Sequence, residues 1–104
     1  MSLQFDVYPN PLRAGRAERP YLVDVQHALY CDRVSRVVAP LVVQSAIRPE
    51  ARLNPVIHVL GQAYYFSPTE IFTITAKHLR NSVANLEAER SRIIAALDLV
   101  FTGV

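Results

Sequence analysis

Only one cysteine, Cys31, occurs in the 104 residues, so no disulfide can form within the chain and a reducing cytoplasm is its expected home. Three glycines cannot furnish the run of bare backbone amides that cradles phosphate, and neither a nucleophile elbow nor a zincin motif occurs. His27, His58 and His78 lack metal-ligand spacing, and no metal or cofactor is expected. No apolar run approaches the ~18 residues of a membrane span. The opening MSLQFDVYPN has neither the basic nor the apolar region of a signal peptide, so the chain reads as soluble and unexported. Ser2 and Leu3 lie outside the strand pattern, which begins at Gln4, as a cloning remnant would.

Charge is also sparse. Ten arginines and one lysine stand against nine acids, for a net +2, too mild to demand nucleic acid or an anionic membrane as partner. What is abundant is apolar sequence, 51% of the chain, against a usual ~45–50%. A second copy of the chain is expected to cover part of that excess. The length suits one domain, and residues 1–104 are read as a single unit.

Alternation over Gln4–Tyr8 puts Phe5 and Val7 on one face of a half-buried strand. Pro9–Pro20, with three prolines, Gly15 and arginines at 13, 16 and 19, reads as a mobile loop. Strand character returns over Tyr21–Gln26, where Asp24 between valines is expected to be a hydrogen-bonded structural group or a solvated edge. Arg36–Gln44 is nearly continuous apolar sequence, fitting a strand covered on both faces, with Pro40 suggesting an edge or bulge. Ala46–Asn54 is a second polar loop. Pro55–Leu60 and Gln62–Phe66 across Gly61 read as a hairpin, and Ile71–Thr75 as a further strand.

From Thr75 to Val104 the pattern changes. Val83, Leu86, Ile93, Ile94, Leu97 and Phe101 recur at helical spacing with Val100 and Arg90 beside them, so one long amphipathic helix is expected. Asn81, Ser82 and Asn85 compete as its N-cap, Glu89 and Arg92 form an i,i+3 pair, and Gly103 can close the end in the left-handed conformation. Five or six short strands and one helix predict an α+β, β-rich domain: a curled sheet or partly open antiparallel barrel with the helix packed on it. The tail Phe101-Thr102-Gly103-Val104 has no polar flank, and either folds into the core or is offered to a partner.

Catalytic groups are hard to assemble. His58 between apolar strand residues reads as a hydrogen-bonded strand histidine, and Glu87 and Glu89 as a solvated helix face. Tyr64, Tyr65 and Phe66 offer rings that could stack on bases, but as sheet aromatics they fit a core or interface better.

Five segments, taken together, resemble the CcdB family of toxins: Phe5-Asp6-Val7-Tyr8, Tyr21-Leu22-Val23-Asp24-Val25-Gln26, Arg36-Val37-Val38-Ala39-Pro40-Leu41, Leu53-Asn54-Pro55-Val56-Ile57-His58-Val59, and Ala96-Leu97-Asp98-Leu99-Val100-Phe101-Thr102-Gly103-Val104. The resemblance implies an SH3-like partly open barrel with a small extra sheet and one long C-terminal helix, assembled as a homodimer. It implies a non-enzymatic toxin of a toxin–antitoxin pair, without cofactor or metal, that binds the DNA gyrase A subunit and traps its cleaved-DNA complex. A CcdA-like antitoxin is the implied neutralising partner. Gyrase binding maps onto Phe101, Thr102, Gly103, Val104 and Asp98, with Leu29 and Tyr30 as a second apolar patch. Thr102 stands where the family has tryptophan, and Asp98 where it has a neutral acceptor amide. An endoribonuclease on the same barrel, with His58 and either Arg36 or Arg52 as its catalytic groups, is the competing expectation, together with a homologue that has lost toxicity.

Overall fold

The computed structural model describes residues 2–27, Leu29 and residues 34–104. Seven strands run through it: β1 (Asp6–Pro9), β2 (Tyr21–Asp24), β3 (Ser35–Val43), β4 (Val56–Val59), β5 (Gln62–Phe66), β6 (Phe72–Thr75) and β7 (Ala84–Asn85); the helix α1 (Arg90–Thr102) follows. Every pairing is antiparallel, in the order β4-β5-β3-β2-β1-β7, with β6 also on β3. The result is a nearly closed antiparallel barrel with one C-terminal helix, as the sequence predicts.

β3 organises the barrel because it is long and apolar on both faces. Residues Ser35–Val38 pair with β6, Leu41–Val43 pair with β5, and the opposite edge pairs with β2 throughout Val38–Leu41. Pro40 falls at the changeover between β6 and β5, and its carbonyl accepts the Ser67 N–H at 3.0 Å. A proline is tolerated there because no strand on that side requires its missing N–H. The residue therefore lies in the central strand, neither on an edge nor in a bulge.

Period-two alternation sends neighbouring side chains to two cores. Val7, Val23, Ala39, Leu41, Ile57 and Phe66 face α1, where Ile93 and Ala96 meet them. Tyr8, Leu22, Val38, Ile74 and Leu79 fill a smaller core on the other side. Tyr8 is thus buried, not on a wet face as the half-buried strand reading implies.

The expected helix from Thr75 is cut short. Asn81 adopts φ 61°, and residues 84–85 run along β1 as the short strand β7, flanked by the Val83 N–H donating to Val7 and the Leu86 N–H to Phe5. Val83 and Leu86 do pack into the core, but from β7 and its flanks. A 3-10 turn, Glu87–Glu89, then leads into α1. None of Asn81, Ser82 and Asn85 caps the helix; Asn85 instead accepts the Glu87 N–H and donates to Asp6 Oδ1 at 2.9 Å. Arg90, on the apolar stripe, lies 5.3 Å from the Phe5 ring centroid. Glu89 and Arg92 do pair, at 2.7 Å.

The hairpin is as expected: Val59 pairs with Gln62 across Leu60-Gly61, both at positive φ (51° and 82°) as a type I′ turn requires. The 10–20 connection is tied down rather than loose. Asn10 Nδ2 donates to Arg19 O, Arg16 Nε to Asn10 O, and Arg19 Nε to Glu70 Oε1 at 2.6 Å.

Candidate functional site

α1 carries the tail outward. Ile93 and Ala96 anchor its first half in the core, Ile94 and Leu97 are partly packed, and the last turn leaves the barrel. Phe101 is 67% exposed and Val104 82% exposed. The helix ends by capping rather than by fraying: Gly103, at φ 77°, donates its N–H to Leu99 O at 3.1 Å. Thr102 Oγ1 donates to Asp98 O at 2.7 Å and accepts the Val104 N–H. The hydroxyl therefore helps fix the course of the final residues.

Beside this tail a groove of about 690 Å³ opens between α1 and the stretch 49–56. The α1 wall is Arg92, Ala95, Asp98 and Leu99, with Val104 at its end. Pro49, Arg52, Pro55 and Val56 form the other wall, and Tyr65 of β5 contributes from the sheet. Arg92 bolts the walls together, donating to Glu89 Oε1 and, at 2.6 Å, to the Val56 carbonyl. Asn54, at the root of the loop, is buried; its Nδ2 donates to Phe66 O and its Oδ1 accepts the Glu50 N–H. Asp98 and Arg52 are exposed, and neither side chain makes a hydrogen bond or ion pair among the described residues.

Of the residues picked out in the sequence, Asp98 and Val104 thus share a groove, while Phe101 projects from the helix end. Leu29 is 78% exposed on the connection between β2 and β3 and lines no part of the groove. Tyr30, the other half of that patch, lies outside the described residues, as does Cys31. In the sequence the 49–56 wall reads only as a polar loop followed by a strand.

The candidate ribonuclease groups do not come together. Arg36 is fully buried, with Nε 2.7 Å from Asp24 Oδ2, and cannot meet a substrate. His58 is exposed on β4 rather than hydrogen-bonded within the strand, and does not line the groove that holds Arg52. Tyr64 and Phe66 are core residues, Tyr64 standing edge-on to Tyr21 at 5.5 Å, so only Tyr65 of that trio reaches the groove. Glu87 and Glu89, expected on a helix face, belong to the 3-10 turn and pair with Arg90 and Arg92. Among the described residues no three His, Cys, Asp or Glu side chains cluster as metal ligands would, and no helix is long and apolar enough to cross a membrane.

Fold and site together define a class: a small antiparallel barrel presenting an uncovered apolar helix end beside a charged-rim groove. The chain belongs to the CcdB family, whose model, described as CcdB protein, matches residues 4–103. It is accordingly a toxin of the toxin–antitoxin type. No curated protein matches it.

Proposed function

We propose that this toxin acts by binding, not by catalysis: a homodimer in the cytoplasm engages the DNA gyrase A subunit through its C-terminal tail and holds the enzyme on cleaved DNA. A CcdA-like antitoxin is its natural neutraliser. The observation that carries this reading is the exposure of Phe101 and Val104 on a capped, ordered helix end. An apolar anchor that is pre-ordered loses less entropy on docking than a frayed one. Asp98 and Gly103 support the tail, and Leu29 with Tyr30 would add a second apolar contact.

Thr102 takes the place of a tryptophan in the family pattern, and a central Trp anchor commonly carries ~2 kcal/mol or more, some thirtyfold in affinity. Gyrase binding is therefore expected to be weaker than a tryptophan would give, and Thr102→Trp is expected to strengthen it.

The test is a gyrase cleavage-complex assay with a quinolone as positive control. Full-length protein is expected to accumulate linear DNA, whereas a variant lacking Thr102 to Val104 should accumulate none and still unfold cooperatively, its melting temperature lowered only by the few degrees that loss of the helix cap costs. Failure of the full-length protein to accumulate cleaved DNA overturns the gyrase reading. A deletion variant that no longer folds overturns the tail as a separable anchor.

A further inference from the structure

The geometry points to the groove between α1 and the 49–56 stretch as a docking site for an extended segment of a partner polypeptide. That segment carries an apolar side chain between a basic residue and an acidic one. Three charged side chains border the groove, and one of them, Arg92, is already taken up by Glu89 and the Val56 carbonyl. The two that remain are opposite in sign and sit on opposite walls: Asp98 on α1 and Arg52 on the loop. They pair neither with each other nor with any other described residue. Between them lies apolar surface from Val56, Tyr65, Ala95 and Leu99.

A segment bearing charges of one sign would satisfy one wall and be repelled by the other, so the pattern discriminates against uniformly acidic and uniformly basic partners. The volume of about 690 Å³ lies within the ~300–1,000 Å³ range of ligand-sized sites. Val104 borders the same space, so an occupant would touch the tail as well as the helix wall. The inference shares Asp98 and Val104 with the gyrase reading but does not rest on gyrase being the partner.

Fluorescence anisotropy with end-blocked, fluorescein-labelled peptides tests it. The probes hold a Leu-Leu centre with Lys before and Glu after it, each offset by one to four residues. Matched peptides carry Glu on both sides, Lys on both sides or Gln on both sides. The best Lys/Glu peptide is expected to bind about tenfold tighter than any Glu/Glu or Lys/Lys peptide. Asp98→Lys should move the preference to Glu/Glu, and Arg52→Glu should move it to Lys/Lys. Both positions are exposed, so neither change should lower the melting temperature.

Equal binding of all four charge patterns, no binding by any, or a ranking unmoved by both substitutions overturns the inference. So does a change in sedimentation coefficient on Asp98→Lys, which would mean that a second copy covers the groove. Wild-type protein that traps cleaved DNA yet shows no charge preference removes this inference and leaves the gyrase reading standing.

Discussion

Asp24 and Arg36 decide more at the level of single residues than any other pair. Both side chains are fully buried, and Asp24 also accepts from Ser2 Oγ and from the Gln26 N–H at 3.0 Å. Two charges withdrawn from water lose hydration that only a well-formed network offsets. Removing one leaves the other stranded, so Asp24→Ala or Arg36→Met is expected to lower stability by about 3–5 kcal/mol in urea unfolding. The double replacement Asp24→Leu with Arg36→Met should cost less than either single change; a double variant weaker than both singles would contradict this account. An acid between valines announces a structural partner in the sequence, but nothing local names Arg36, twelve positions away. Thr102 carries the opposite lesson. It reads as a tryptophan lost from a binding anchor, and its hydroxyl turns out to close the helix end.

Elements were legible where their signal is local. The Leu60-Gly61 hairpin follows from turn chemistry, the β3 strand from its unbroken apolar run, and the Gly103 cap from a glycine after a helical stripe. The helical pattern in the sequence runs past the start of α1 because Val83 and Leu86 keep a spacing of three that a helix and a strand-plus-turn both satisfy. Pairing of residues 84–85 with the free edge of β1 settles that contest, and a positive-φ Asn81 turns the chain toward it. The 49–56 wall was illegible because a groove is made by elements distant in sequence. The hairpin also leaves room for improvement. Leu60 sits at φ 51° with 73% of its surface exposed, a conformation that branched-chain residues adopt reluctantly. Leu60→Asn should stabilise the protein by about 0.5–1 kcal/mol, raising Tm by roughly 2–8 °C in calorimetry. An unchanged or lowered Tm would rule this out.

The barrel as a whole should be vulnerable to alkali. Tyr8 holds its proton above the ordinary 10.0, chiefly through burial, against a lowering hydrogen bond with Ser2 and with help from the Asp6 carboxylate. Tyr64 is raised by burial and then by Tyr21. Below the ordinary value both tyrosines are neutral whether the chain is folded or not, so they confer no pH dependence. Above it the unfolded chain ionises first and is favoured, and stability falls as pH climbs toward the raised folded values. Urea midpoints measured from about pH 9.5 to 11 should decline, and the decline should be shallower in the Tyr8→Phe, Tyr64→Phe double variant. An identical slope in wild type and variant would place the lability elsewhere.

Closure of β1 against β7 joins residues about eighty positions apart, Asp6 meeting Asn85. At ribosomal speeds of ~5–20 residues per second, roughly 4–16 s separate their synthesis. Throughout that interval the nascent polypeptide exposes an unsealed strand margin, and the helix that must roof the larger core has yet to be made. Maturation thus waits on the last-made strand and helix, and a barrel assembled this way cannot seal before residue 85 has been synthesised.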